Sequence, residues 1–168
     1  LPMERTNFKF DFTKAGLPLI KLLVDGKIYA NHRCTRDGSI SIDCELKDGK
    51  HVIEIVHYGK NYSTDTDTHF ELQKLYINEV DIKQELFNFI QYPDIPPWDN
   101  WHVDNHPLEW KNNLYLGHNG KLMYNEFITP SIPWFHKRFS NIHQPQGMRS
   151  DKEFLQEMKK DFANETDR

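Results

Sequence analysis

Three groups of residues carry the chemistry this chain can be expected to do. The first is Trp98-Asp99-Asn100-Trp101, with Trp110 and Trp134 further along. Indole faces stack on the apolar face of a sugar ring, and a neighbouring carboxylate and amide bond its hydroxyls. This group therefore predicts a carbohydrate-binding surface. The simpler reading is that the rings plug the end of a domain short of aliphatic side chains. The second group is His102-Val103-Asp104-Asn105-His106. In an extended chain positions 102, 104 and 106 point to one side, so two imidazoles and a carboxylate can converge on a transition metal. His102-x-Asp104 with a distal His136 or His143 also fits the facial triad of non-haem iron oxygenases that use 2-oxoglutarate, with Arg149 as co-substrate anchor. Hydrogen-bonding loop histidines are the simpler reading here. The third group is Asp65, Asp67 and Glu71, in and after a Ser/Thr-rich loop. Short oxygen-rich loops between strands suit calcium, which takes many oxygen ligands in flexible geometry.

Other chemistries leave no trace in the sequence. It has no Gly-x-Ser-x-Gly elbow, no phosphate-cradling glycine loop, no Cys-x-x-Cys pair and no His-Glu-x-x-His motif. No carboxylate pair stands out as an acid/base couple, so a non-catalytic role is expected. Among 168 residues, 21 Lys and Arg oppose 25 Asp and Glu, for a formal charge of −4. A balanced, slightly acidic surface argues against nucleic-acid capture, which needs a clustered basic face. The longest apolar stretch, Leu17 to Val24, is interrupted by Pro18 and Lys21, so no membrane partner is expected. No signal-peptide pattern opens the chain, and Cys34 and Cys44 read as free thiols, which fits a reducing cytosol.

The elements that must position these groups are mainly strands. Phe8, Phe10 and Phe12 alternate with polar residues, the period of a half-buried strand. Leu19 to Val24 is closed by Asp25-Gly26. Lys27 to Leu46 reads as a hairpin turning at Arg36-Asp37-Gly38, with Ile40, Ile42, Cys44 and Leu46 on one face. Asp48-Gly49 leads into His51 to Tyr58. In Phe70 to Ile77 the apolar parity slips between Leu72 and Leu75, which predicts a β-bulge. Leu86 to Tyr92 reads as strand or short helix. Residues 93–145 read as proline- and aromatic-rich loops enclosing a second hairpin, Asn113–Leu116 with Lys121–Ile128, turned by Gly117-His118-Asn119-Gly120. Residues 129–139 carry Pro130 and Pro133 and read as irregular. Residues 146–168 read as a linker and an amphipathic helix opened by a Ser150/Glu153 capping box. Short strands with turn signals and no intervening helix predict an antiparallel β-sandwich or jelly roll over residues 1–145, its core strands within 7–92. The C-terminal helix either docks on its own domain or reaches another subunit.

Residues Leu19-Ile-Lys-Leu-Leu-Val-Asp-Gly26, Asp48-Gly-Lys-His-Val-Ile-Glu-Ile55 and Phe70 to Asp81 together resemble the calcium-dependent, xylan-binding type of carbohydrate-binding module. The resemblance covers residues 7–82 and implies a β-sandwich that binds glycan through loop-held calcium. Asp65 and Asp67 occupy the comparable loop. The second half, especially Leu116-Gly-His-Asn-Gly-Lys121 with Pro133-Trp-Phe135, is similar to small structural proteins of marine tailed phages. Together these resemblances imply a non-catalytic decoration or adhesion module of a virion, assembled in the host cytoplasm, or else a cytoplasmic protein. Its expected partners are a glycan or neighbouring virion subunits, with oligomers formed through the C-terminal helix. No cofactor is required, and calcium is the one candidate. The iron oxygenase is the alternative.

Overall fold

The computed structural model describes residues 2–61, 63–64, 67–91, 93, 114–139, 155–156 and 159–160. Nine strands run as β1 (Met3–Ala15), β2 (Leu19–Val24), β3 (Lys27–Arg33), β4 (Gly38–Lys47), β5 (Gly49–Tyr58), β6 (His69–Ile77), β7 (Val80–Asp81), β8 (Tyr115–Leu116) and β9 (Gly120–Thr129). Two helices described end to end accompany them, α1 (Lys83–Phe89) and α2 (Ser131–Arg138), besides helical residues at 155–156 and 159–160. The strands form two antiparallel sheets. One has the order β4-β1-β6-β7 with β8 also on β6, the other β3-β2-β5-β9. The protein is therefore the antiparallel β-sandwich that its alternating pattern predicts.

Period-2 alternation decides which side chains meet between the sheets. Phe8, Phe10 and Phe12 of β1 face Ile20, Leu22, Ile53 and Ile55 of the second sheet in one buried cluster. In β6 the parity slip is a bulge. Asp11 pairs Lys74 and Phe12 pairs Leu72, leaving Gln73 without an opposite residue. That extra residue lets Phe70 and Leu72, then Leu75 and Ile77, all point inward. β9 uses the same device: His51 pairs Phe127 and Ile53 pairs Tyr124, so Asn125 and Glu126 together oppose Val52. Leu122, Tyr124, Phe127 and Thr129 are all buried as a result.

The hairpins differ from expectation. β3 and β4 lie in different sheets, so Arg36-Asp37-Gly38 is a crossing between layers and not a hairpin turn. The apolar face of β4 decides this, because pairing with β1 sets Ile42 beside Phe8 and extends the inner surface. β3, with only Tyr29 and Ala30 packed on the core, remains an edge strand. Gly117 to Gly120 likewise joins β8 of one sheet to β9 of the other. The tight hairpins are at Asp25-Gly26 (φ 52° and 80°) and at Asn78-Glu79 (φ 48° and 69°). Two consecutive left-handed residues match the twist of the flanking strands.

Residues 131–138 form a helix in place of the expected irregular segment. Pro133 falls in its first turn, where an amide donor has no intrahelical acceptor to lose. Leu86 to Phe89 belongs to a helix as well. Of the C-terminal helix, residues 155, 156, 159 and 160 are helical. Leu155 packs on the core and Lys159 pairs with Glu79, so this helix docks on its own chain. The expected boundary at residues 145–146 lies outside the described residues.

Two buried histidines behave in opposite ways. His51, 5% exposed, is fully engaged. Its Nδ1 donates to Asp25 Oδ2 at 2.6 Å, and its Nε2 lies 2.7 Å from Thr129 Oγ1 and 2.9 Å from the Lys47 carbonyl. Thr129 Oγ1 also donates to that carbonyl at 2.8 Å. His57, 1% exposed, makes no hydrogen bond of acceptable geometry at either ring nitrogen. Burial lowers its pKa to about 4, and the nearby Lys60 adds to this, against weaker support from the backbone at Leu116 and His118.

Both yield measurable consequences. Thr129→Val keeps the shape but removes the hydroxyl shared by His51 and Lys47, and should cost about 1–3 kcal/mol in urea unfolding. For His57, the unfolded chain binds the proton from about pH 6.5 downward while the folded chain resists until about pH 4. Stability should therefore fall as pH drops through that window, by about 3 kcal/mol in total. Denaturation at a series of pH values should show this acid loss in the wild type and a flatter profile in His57→Leu.

Candidate functional site

The two ends of the sandwich are built differently. At one end the β2–β3 and β4–β5 connections and the end of β9 are drawn together by His51, through Asp25, Lys47 and Thr129. Thr129, His51 and Asp25 form a hydroxyl–imidazole–carboxylate chain, but Thr129 is 1% exposed and its hydroxyl is held by backbone carbonyls. No substrate atom can approach it, so this chain is a staple between connections and not a nucleophile.

The other end gathers the β1–β2, β3–β4, β5–β6 and β8–β9 connections and is open. A cleft of about 390 Å³ runs between residues 16–19 and residues 58–60, with Thr64, Asp67 and Thr68 beside it, Arg33 along it and the buried His57 at its base. A second cleft of about 400 Å³, along the β3–β4 crossing, shares Arg33 with the first. Gly16 fixes the wall between β1 and the β5–β6 loop. Its φ is +64°, and a Cβ there would lie 2.4 Å from Thr68 Oγ1, so no larger residue fits.

Side-chain cations hold these loops in shape. Lys14 Nζ donates to the Gly16 carbonyl at 2.8 Å, Arg33 Nη1 to the Leu17 carbonyl at 3.0 Å, and Lys60 Nζ to the Gly117 carbonyl at 2.5 Å. Lys60 and Asn119 add a reciprocal pair, the Lys60 amide to Asn119 Oδ1 at 2.8 Å and Asn119 Nδ2 to the Lys60 carbonyl at 2.9 Å. These bonds leave several polar groups unspent among the described residues. Arg33 uses one of its five donors, the Asp67 carboxylate has no hydrogen-bond partner, and neither nitrogen of His57 is satisfied.

Most residues singled out in the sequence fall elsewhere. Trp98, Asp99, Asn100, Trp101, His102, Asp104, His106 and Trp110 lie outside the described residues, as do Asp65, His143 and Arg149. Trp134 is described and is core. It is 5% exposed, its Nε1 donates to the Glu126 carbonyl at 2.8 Å, and its ring meets Phe127 edge-on at 5.0 Å. An indole held this way offers no face to a sugar, which corrects the expectation for this tryptophan. His136 is half-buried on α2, and no group of three His, Cys, Asp or Glu side chains among the described residues is placed to hold a metal. Asp67 is exposed at the cleft, while Glu71 accepts from Gln73 Nε2 at 3.3 Å on β6, near Tyr115.

Arg33, His57 and Lys60 escaped the sequence reading. The one available signal was at His57, where an imidazole occupies the inward position that follows Ile53 and Ile55 in alternation. Arg33 and Lys60 matter only because the sheet crossings bring their loops together.

The fold has solved counterparts. No family model matches the sequence, and no curated protein sequence does. A structure of vCBM60 in its selenomethionine form, from work on circular permutation linking two families of calcium-dependent carbohydrate-binding modules, superposes with a TM-score of 0.50 at 12% identity. The match covers 71% of this chain and 90% of that one. The structure of vCBM60 in complex with galactobiose gives a TM-score of 0.50 at 13% identity, over 71% and 97% of the two chains. The likeness reaches beyond the half that carries the sequence resemblance, and it is a likeness of fold: this chain has the β-sandwich of those calcium-dependent modules.

Proposed function

We propose that this protein is a non-catalytic glycan-binding module whose ligand enters the open end of the sandwich. The observation that carries the reading is the cleft of about 390 Å³ at that end, with Arg33 and the exposed Asp67 along it and, among the described residues, not consumed by the fold. A concave site with a few polar groups left unpaired suits a hydroxyl-rich ligand, which satisfies them on binding. The fold shared with vCBM60 supports the same class of ligand. Trp98, Trp101 and Trp110, with Asp99 and Asn100, belong to this proposal as a stacking surface. A virion setting is part of it too, in which the module decorates a phage particle and contacts a cell-surface glycan. Cys34 and Cys44 are free and buried, which suits assembly in a reducing compartment.

Calcium is a separate question, because the vCBM60 modules are described as calcium-dependent. The described residues do not fit such an ion. Asp67 is the one carboxylate at the cleft among the described residues, and the carbonyls of Gly16, Leu17 and Gly117 already accept from ammonium or guanidinium groups. A calcium ligand set would have to draw on Asp65, outside the described residues. The binding proposed here accordingly runs through side chains.

A glycan array probed with the whole chain should give hits. Asp67→Ala, at an exposed position, should weaken the best of them about tenfold, the loss of one charge-assisted hydrogen bond of about 1.5 kcal/mol, without lowering Tm. Adding EDTA should leave the affinity unchanged. A blank array would overturn the glycan reading and favour a structural subunit, and loss of binding in EDTA would restore calcium to the site.

A further inference from the structure

We infer that the open cleft selects an acidic sugar, a uronate unit of an anionic glycan, with Arg33 taking its carboxylate and Asp67 its hydroxyls. This rests on the glycan reading and names its ligand class.

The argument starts from what the cleft can offer a sugar ring. Its one aromatic lining residue among those described is Tyr58. Lys21 Nζ stands 4.3 Å over the centroid of that ring, and the Tyr58 hydroxyl donates to Asn31 Oδ1 at 2.5 Å. Stacking, the main source of affinity for a neutral sugar, is therefore poorly served in the described lining. Charge is well served. Arg33 stands on the outer face of β3, paired with Leu19 across the sheet, and its bond to the Leu17 carbonyl fixes the guanidinium at the cleft. One donor is used and the remaining donors form a fork suited to a carboxylate. Lys60 adds a second positive charge along the same cleft.

The acceptors complete the fit. Asp67 is exposed and accepts no hydrogen bond among the described residues, so it can accept from the hydroxyls next to the carboxylate on a sugar ring. The β1–β2 wall is fixed by the close approach of Gly16 to Thr68 and by Lys14 on the Gly16 carbonyl, so that wall of the cleft is shaped before the ligand arrives.

Isothermal titration with a galacturonate tetramer and with the neutral galactose tetramer of the same linkage separates the possibilities. The acidic tetramer should bind at least ~10-fold more tightly, and Arg33→Gln should remove that preference. Arg33→Lys should keep part of it, since charge survives but the fork does not. Rising salt should weaken the acidic tetramer more than the neutral one. If both tetramers bind equally and Arg33→Gln changes neither, the acidic-sugar inference fails and the glycan reading stands. If the neutral tetramer binds and the acidic one does not, the inference fails in the same way. If neither tetramer binds and a glycan array is also blank, both fall together.

Discussion

The constraint on which the rest of the structure depends is the position of one imidazole, that of His51. It starts near the β4–β5 crossing, where the chain leaves one sheet for the other, and it reaches both the β2–β3 turn and the end of β9. Asp25 is held from a second direction, since its Oδ1 accepts the Val52 amide at 2.9 Å and its own amide donates to the Val52 carbonyl at 2.8 Å. Three connections far apart in sequence thus share one set of hydrogen bonds, buried at His51 and Thr129 and open to water at Asp25. Polar networks of this kind do little for net stability but penalise every arrangement in which one partner is missing. Here the penalised arrangements are slipped registers of β5 against β2 and β9.

With one end stapled, the helices can cover the remaining apolar surface. The α2 N-terminus receives the Glu4 carboxylate on the Ser131 amide at 2.8 Å, a negative charge at the positive end of a helix. Tyr124 donates to Glu85 Oε2 at 2.7 Å, and Arg138 meets both Glu85 and Glu126, so α1, β9 and α2 are tied through one half-buried set of charges around the buried Glu85. Burial raises the Glu85 pKa, offset by the Tyr124 hydroxyl and by Arg138. The opposite end has no comparable node joining three connections among the described residues. Its loops are joined pairwise, and the space between them is the cleft.

Much of the fold was legible in the sequence because strand alternation is a local property. Phe8, Phe10 and Phe12 declare their face without reference to anything else, and the break between Leu72 and Leu75 announces a bulge. What alternation does not encode is which strand is the neighbour. Asp37-Gly38 and Asn119-Gly120 carry the signature of a hairpin turn, yet each joins two sheets, because the inner apolar faces of β4 and β9 found better partners in β1 and β5. Helix α2 was hidden by its prolines, and its N-terminal acceptor, Glu4, is 127 residues away. The cleft was hidden for the same reason. Its cations are ordinary surface residues until the crossings set them on particular carbonyls. Tryptophan abundance drew attention to the second half, and the one described member, Trp134, turned out to be packing.

The choice of acceptor for Lys14, Arg33 and Lys60 has a consequence for the environments in which the cleft keeps its form. Each of these cations rests on a backbone carbonyl, and a carbonyl oxygen has no proton to gain in the range where carboxylates are neutralised. Loops tied by carboxylate pairs loosen as a medium acidifies, whereas these keep their acceptors. These three ties therefore persist as the medium acidifies, and the acid sensitivity of this end falls instead on the buried His57.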